Sequence, residues 1–408
     1  MNPGERRQGQ NLLNSLSEIN AVTMSSNGTV RLRGNTWNHS RGFLPMVATA
    51  QRFSETHPGT EIVWKKRSLQ EFADYPIPKL AETFDLLVTD HPFVGYVARH
   101  GDLLPLDEHI SAGFLADQNT HSVGESHRSY FYGGHQWALA IDAATPVSSW
   151  RADLLERANA KVPETWDEVL ELASRGMVAI ASLPVDSLMN FYMFCCALGH
   201  NPFSRENLVV DPGVGMEALT MLRELARRCS PEIFNRNPIA TYEEMANADA
   251  TAYCPFAYSY SNYSRLGYAR KQLVFGDLCK IGKNGRARSA LGGTGLAISR
   301  ACKHRDVAIE YARFVASPEC QKRLYVQSGG QPGHRSAWTD EEANRVTSNF
   351  FWNTLAAQDR AYMRPRYEGY IDFQDQAGEA VHEFLRSGGN PGVVIKELQQ
   401  VYERTRCE

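Results

Sequence analysis

RGNTWNHSRGFLPMVATAQRF, residues 33–53, is the stretch that decides the fold, because a strand pattern passes into a helix pattern within it. The strand is VRLRGNT at 30–36, where apolar and polar residues alternate at first. The turn after it holds Trp37, Asn38 and His39, a polar and aromatic group that needs an explanation. The helix is indicated by apolar residues at the spacing of one helix face: Phe43, Met46, Val47, Ala50 and Phe53.

The next segments repeat the alternation of strand and helix. EIVWKKR at 61–67 is a second strand candidate, and SLQEFADYPIPKLAE at 68–82 is helical at both ends around a proline-interrupted middle. FDLLVTD at 84–90 is an almost continuous apolar run, which is typical of a buried parallel strand. The order β-α-β-α-β predicts the first half of a doubly wound α/β sheet. Ligands of such sheets bind beyond the carboxyl ends of the strands, so the loops TWNHS and TDHPF are expected on one rim.

The remaining chain predicts a second α/β unit. HQWALAID at 135–142 alternates as a strand does, and PETWDEVLELA at 163–173 is predicted to be a helix. MVAIASLP at 177–184 is predicted to be a strand, and ATAYCPFAYSYSNYS at 250–264 an extended, aromatic segment. The tail is predicted to be helical, with RPRYEGYIDF at 364–373 as an extended insert.

Length and composition exclude several classes of protein. A chain of 408 residues is too long for one ordinary domain, so two lobes are expected. A net charge of −3 offers no electrostatic basis for binding nucleic acid. The sequence has no apolar run of the length that a membrane span needs. Residues 1–29 lack the apolar core of a secretory signal and are predicted to be a polar, disordered leader.

The sequence has none of the short motifs that bind nucleotides, zinc or calcium, nor a nucleophile elbow. We therefore predict no cofactor and no metal, and interpret His121 and His127 as surface residues. The eight cysteines show no CxxC spacing, and their number weakly favours a reducing compartment.

Three segments carry a family resemblance. Residues 141–173, beginning IDAATPVSSWRADLLE, residues 250–263, ATAYCPFAYSYSNY, and residues 290–338, beginning ALGGTGLAISRACKHR, occur in the order expected of one family. They resemble the substrate-binding proteins of carbohydrate-type ABC importers, in the maltose-binding-like class. In the second segment Pro255, Phe256, Ala257 and Tyr258 stand where that family has Gly-Pro-Trp-Ala-type residues.

This resemblance implies a two-lobed periplasmic-binding-protein fold of type II, in which each lobe is an open mixed sheet flanked by helices. Lobe 1 is predicted at 30–141 and 280–329, and lobe 2 at 142–279 and 330–408. A small solute would be held in the cleft by hinge closure, without chemical conversion. The implied partners are ABC permease subunits, and the protein is expected to be a monomer. The family implies a periplasmic or extracytoplasmic location, and the missing signal keeps a cytoplasmic one as the alternative.

Six candidate ligand-binding residues follow the strands of the first lobe. Trp37 could stack on a ligand while Asn38 and His39 hydrogen-bond to it, or the three could form an ordinary turn packed on the lobe. Asp90 and His91 close the third strand, where Asp90 could bind hydroxyls or cap the next helix. Asp142, at the first crossing between lobes, could bind ligand or brace the hinge.

The second set comes from the aromatic segment and later loops. Phe256, Tyr258 and Tyr260 would share one strand face, opposite Tyr253 and Tyr263, and could stack on a sugar or pack in the core. Further candidates are the backbone of Gly293 and Thr294, with Gly292 beside them, and the side chains of Arg335, Arg366 and Tyr367. Arginine forks would suit an acid group on the ligand, whereas the aromatic set suits a neutral sugar or polyol.

Two other functions stay open at the level of sequence. The cleft could be the site of an enzyme that uses His39, Asp90 and His91 as acid–base groups. The protein could instead be an intracellular solute sensor of the same fold.

Overall fold

The computed structural model describes residues 29–68, 77–282 and 285–406. The predicted leader lies outside these ranges except for Thr29, and so does the middle of SLQEFADYPIPKLAE. The strands in these ranges are Val30–Trp37 (β1), Thr60–Arg67 (β2), Leu86–Thr89 (β3), Phe131–Tyr132 (β4), His135–Gln136 (β5), Leu139–Asp142 (β6), Pro146–Trp150 (β7), Tyr253–Tyr258 (β8), Val274–Gly276 (β9) and Thr294–Ile298 (β10).

Helices form most of the remaining structure, and no described helix has a stretch long and apolar enough to cross a membrane. The α-helices are Ser40–Thr56 (α1), Ile77–Thr83 (α2), Val94–His100 (α3), Ala112–Thr120 (α4), Ala152–Arg157 (α5), Trp166–Ser174 (α6), Pro184–Ala197 (α7), Pro212–Ala226 (α8), Pro238–Asn247 (α9), Arg305–Ala316 (α10), Pro318–Cys320 (α11), Arg335–Trp338 (α12), Glu341–Val346 (α13), Phe350–Asp359 (α14), Tyr370–Ser387 (α15) and Pro391–Thr405 (α16). Short 3₁₀-helices lie at His91–Phe93, Leu106–Glu108, Arg128–Tyr130, Pro231–Asn235 and Ser261–Ser264, and a short π-helix lies at Gln321–Tyr325.

The first sheet has five strands in the order β2-β1-β3-β10-β6. β1 pairs in parallel with β2 and β3, while β10 runs antiparallel to β3 and β6. The predicted β-α-β-α-β half is therefore present and becomes a mixed sheet through the returning strand β10. Helices α1 and α10 cover it with apolar side chains, and its core includes Leu32, Phe53 and Leu296.

The second sheet has three antiparallel strands in the order β8-β7-β9. A single parallel bridge adds Val178 beside Tyr253. The helices α7, α8, α15 and α16 pack together beside this sheet and form the largest apolar core, which contains Phe191, Leu222 and Phe373.

Two predicted extended segments differ in the structure. Among the described residues, MVAIASLP contributes only the bridge at Val178, and its last residue, Pro184, already begins α7. The insert RPRYEGYIDF forms no strand: residues 364–366 are irregular, 367–369 form a bend and a turn, and Tyr370 begins an 18-residue helix. The buried positions Tyr370, Phe373 and Ala377 recur with a helical spacing, which the predicted extended insert overlooked.

A β-bulge in β8 changes which aromatic side chains share a face. Val147 pairs with Ala257 and Ser149 with Cys254, so two steps along β7 match three along β8. The extra residue reverses the alternation, and proline inside a strand commonly marks such a bulge. Tyr253 therefore packs in the same core as Phe256, and the prediction that they lie on opposite faces is wrong.

The crossings between the two sheets lie near Asp142 and Thr294. The chain leaves β6 at Asp142, and Ala143 donates a backbone hydrogen bond to Gln331 O at 3.0 Å. On the return path, Ala287 and Ala290 still pack in the core of the second lobe before β10 begins. The lobe boundaries given above remain a prediction.

Gly293 is expected to tolerate no side chain. Its φ of +91° disfavours other residues, and a Cβ there would lie 2.4 Å from Asp142 O. We expect Gly293→Ala to lower the free energy of unfolding by about 1–3 kcal/mol more than Gly59→Ala, measured by urea denaturation. Gly59 is the matched control because its φ is +85° but nothing lies within 4 Å of its Cβ position. Equal losses in the two variants would contradict the close approach.

Candidate functional site

A cleft with a cavity volume of about 150 Å³ lies between the two sheets. Its walls come from the ends of β1, β3 and β8, from the turn before β10 and from the first turn of α7. The lining residues are Trp37, Arg41, Asp90, Phe93, Ala144, Leu183, Val185, Asp186, Met189, Asn237, Pro238, Tyr258, Tyr260, Gly292, Gly293, Thr294, Arg364, Ile371 and Gln374.

Of the first predicted loop, residues 37–39, only one side chain lines the cleft. Trp37 lines the cleft, while Asn38 is exposed. His39 is the N-cap of α1, where its Nδ1 accepts a hydrogen bond from Arg41 N at 3.0 Å. Its ring packs edge-on against Tyr260 with centroids 4.6 Å apart. Burial lowers the pKa of His39 to about 3, so the imidazole is neutral.

Arg41, which sequence reasoning missed, forms a buried ion pair with Asp142. Arg41 Nε donates to one Asp142 oxygen at 2.9 Å, and Nη2 donates to the other. The remaining nitrogen, Nη1, donates to Ser259 O at 2.7 Å. Burial alone would lower the pKa of Arg41, but the Asp142 carboxylate outweighs it and raises that pKa. Asp142 does not line the cleft. Its contacts with Arg41 instead stabilise the crossing between the lobes.

Asp90 meets a second arginine that the sequence analysis did not select. Arg364 Nη2 donates to Asp90 Oδ2 at 2.5 Å, and Arg364 also donates to Leu291 O at 3.2 Å and to Gln374 Oε1 at 3.1 Å. Burial favours a higher pKa for Asp90, but Arg364 and His91 outweigh it and hold the pKa below its usual range. His91 is fully buried behind the cleft, and burial lowers its pKa to about 4.

The aromatic segment places two of its three candidates on the cleft. Tyr258 and Tyr260 line it, whereas Phe256 lies deeper and packs against Phe194 with ring centroids 5.7 Å apart. The Tyr258 hydroxyl and the Thr294 hydroxyl are buried and have no hydrogen-bond partner within the described part of the chain. Two cleft-lining residues therefore have hydroxyls whose hydrogen-bonding capacity is unused by the described residues.

Asp186 is a third cleft residue that sequence reasoning missed. It lies in the first turn of α7, is 6% exposed and lines the cleft. Its Oδ2 atom has no partner among the described residues. Burial raises the pKa of this carboxyl to about 8, so it is mainly protonated at neutral pH and can donate a hydrogen bond.

Three of the predicted residues lie away from the cleft because local partners hold them. Arg335 pairs with Asp359, with Nη1 at 3.0 Å from Oδ2. Arg366 Nη1 donates to the carbonyl oxygens of Arg128, Ser129 and Phe131. Tyr367 Oη lies 3.2 Å from Thr405 Oγ1. Arg364, two residues before Arg366, is the arginine of RPRYEGY that reaches the cleft.

The Asp186 carboxyl is expected to make stability depend on pH. Its pKa is about 8 in the folded state and near 3.8 when unfolded, so the folded state holds the proton more tightly. Its stabilising contribution is complete below pH 3.8 and is lost as the pH rises towards 8. Relative to Asp186→Asn, the free energy of unfolding of the wild type should fall by up to about 1.4 kcal/mol per pH unit in this window.

Denaturant titrations of both proteins between pH 5 and 8 check this expectation. Asp167→Asn is the matched control, because Asp167 is exposed in the first turn of α6. A constant difference between wild type and Asp186→Asn across the window would contradict the raised pKa.

Solved proteins share this architecture. Maltose-bound MalE3 of T. maritima matches with a TM-score of 0.81 and 17% identity, covering 92% of this chain and 99% of that chain. An ABC transporter solute-binding protein of Agrobacterium radiobacter in complex with ribitol matches with a TM-score of 0.78 and 17% identity, covering 93% and 99%. The GacH receptor of Streptomyces glaucescens, studied with acarbose, matches with a TM-score of 0.76 and 16% identity, covering 93% and 99%.

These likenesses confirm the predicted two-lobed fold. A profile described as bacterial extracellular solute-binding protein matches residues 48–349, well over half of the chain. The predicted solute-binding role is thereby confirmed at the level of the family. The chain belongs to the family of bacterial extracellular solute-binding proteins.

Proposed function

We propose that this protein captures an uncharged sugar or polyol in the cleft between its lobes and delivers it unchanged to an ABC permease outside the cytoplasmic membrane. The observation that carries the proposal is a cleft wall with aromatic rings and buried hydroxyls that have no hydrogen-bond partner among the described residues. Tyr258 and Thr294 supply those hydroxyls, and Trp37 and Tyr260 supply further rings.

The charges of the cleft favour an uncharged ligand. Both arginines on its walls already face a carboxylate, Arg41 with Asp142 and Arg364 with Asp90. An acidic ligand would have to compete with these carboxylates, since an arginine fork binds one carboxylate well. The two histidines add no positive charge because burial keeps both neutral.

The apolar and polar groups together suit a carbohydrate. Aromatic rings pack on the C–H faces of a sugar, while hydroxyls and carboxyls bind its oxygens. Asp186, protonated near neutral pH, can donate to a ligand oxygen. The matched proteins of T. maritima, Agrobacterium radiobacter and Streptomyces glaucescens, which were studied with maltose, ribitol and acarbose, support this ligand class.

Contacts across the cleft support closure around the ligand. Arg364 reaches Asp90 across the cleft, and Ser40 Oγ at the start of α1 lies 2.5 Å from Tyr268 Oη, which follows β8 in the chain. A ligand that touches both walls would favour the closed state over an open one by its differential contacts.

Two of the three residues of the alternative enzyme already have hydrogen-bond partners in the protein. His39 Nδ1 already accepts the Arg41 backbone N–H, and Asp90 is held by Arg364. A general base needs a free acceptor within reach of its substrate. Mass spectrometry of ligand recovered from the complex is expected to show an unchanged molecule.

A ligand panel tests the proposal by thermal shift. Neutral mono- and oligosaccharides and polyols are compared with sugar acids and small organic acids. A neutral ligand at about 100 times its Kd should add roughly 2.7 kcal/mol to the free energy of unfolding and raise the melting midpoint. Tyr258→Phe removes only a hydroxyl and should weaken binding of that ligand by about tenfold, since a lost hydrogen bond costs about 1 kcal/mol or more.

Tyr96→Phe is the matched control, because Tyr96 stacks on His100 away from the cleft lining. Its affinity should equal that of the wild type. A shift produced only by sugar acids would overturn the charge argument, and unaltered affinity in Tyr258→Phe would remove Tyr258 from the ligand site.

A further inference from the structure

A second cluster of chemically active side chains lies outside the cleft lining. Asp117 and His121 are one turn apart at the end of α4, and His334 comes from the segment before α12. One potential ligand atom from each of the three lies within 4.8 Å of the others. The two imidazole rings are stacked with centroids 5.1 Å apart. His121 is exposed, as predicted, and pairs in space with His334, whereas His127, also predicted at the surface, is buried.

The distances within the cluster suit a small ion. His121 Nδ1 lies 2.8 Å from Asp117 Oδ1, and His334 Nε2 lies 3.3 Å from Asp117 Oδ2. Ligands in a tetrahedral zinc site, with bonds of about 2.0–2.1 Å, lie about 3.3 Å from each other. Small rotations of exposed side chains would therefore convert the present contacts into coordination bonds.

The surroundings support one of the ligands and leave room for water. His334 is buried, and its Nδ1 lies 2.8 Å from Ser336 Oγ. Nδ1 also accepts a hydrogen bond from Ser336 N at 3.3 Å as the cap of α12. When Nε2 binds a metal, Nδ1 would instead carry a proton and donate to the hydroxyl, which is the orienting contact that metal-bound histidines use. Asp117 and His121 are about half exposed, so solvent can complete the coordination.

The cluster lies beside the crossing between the lobes. Ser122 and His334 form an antiparallel bridge, and Gly333 N donates to Ile141 O at 3.1 Å. An ion held by Asp117, His121 and His334 would tie α4 of the first lobe to the returning chain next to β6.

We propose that Asp117, His121 and His334 form a site for a divalent transition metal of the Zn²⁺ type, separate from the solute cleft. Two imidazoles and one carboxylate are ligands that Zn²⁺, Ni²⁺ and Cu²⁺ accept, whereas Mg²⁺ and Ca²⁺ prefer oxygen alone. The bound ion bridges two chain segments and stabilises the folded state by mass action.

Isothermal titration of the full-length, tag-free, chelator-treated protein with ZnCl₂ tests the site. The wild type is expected to bind one Zn²⁺ and to melt at a higher temperature with it, and Co²⁺ should give the visible absorption of a nitrogen-ligated ion. His121→Ala and Asp117→Asn should each weaken Zn²⁺ binding at least about tenfold. Both positions are about half exposed, so these variants are expected to fold.

His304→Ala is the matched control, because His304 is an exposed histidine at the start of α10. It should bind Zn²⁺ as the wild type does. The proposal is overturned if the wild type shows no saturable uptake, if His121→Ala binds normally, or if MgCl₂ competes equally. These outcomes do not depend on the sugar panel, since no residue of the cluster lines the cleft.

Discussion

Arg41 reaches from the first turn of α1 to the end of β6, where its guanidinium and the Asp142 carboxylate satisfy each other out of water. The same side chain holds Ser259 O after β8, so one group fixes both lobes at their crossing. Removing one partner of a buried pair leaves an uncompensated charge and typically costs about 3–5 kcal/mol. The centroid of the Tyr260 ring lies 4.6 Å from this guanidinium, and this contact positions the ring at the cleft wall.

The fold was predictable where local pattern and tertiary role agree. The apolar run at 84–90 could be interpreted as a buried strand because both of its faces are covered, and the helix face of 43–53 followed from its spacing. The second half was harder to predict since it depends on one backbone irregularity. The bulge in β8 exchanges the two faces of the strand, and alternation alone places Tyr253 on the wrong one.

The residues that line the cleft were partly predictable from the sequence. The ion pairs that decide which charged side chains face the cleft were not. Trp37, Asp90, Tyr258 and Tyr260 follow strand ends, so topology alone brings them to the rim. Which arginine faces the cleft depends on partners far away in sequence: Arg364 finds Asp90, whereas Arg366 finds backbone carbonyls. Asp186 looks like an ordinary first-turn acid in the sequence, and only burial distinguishes it from an exposed one such as Asp167.

The proton on Asp186 is itself a component of the ligand site. A ligand with an amine would cause Asp186 to release that proton to the buffer. The measured heat of binding would then vary with the ionisation enthalpy of the buffer. A neutral guest would leave the proton in place and give the same heat in every buffer. Calorimetry of ligand binding in several buffers therefore distinguishes a ligand with an amine from a neutral ligand. It does so even when the residues that contact the ligand are unknown.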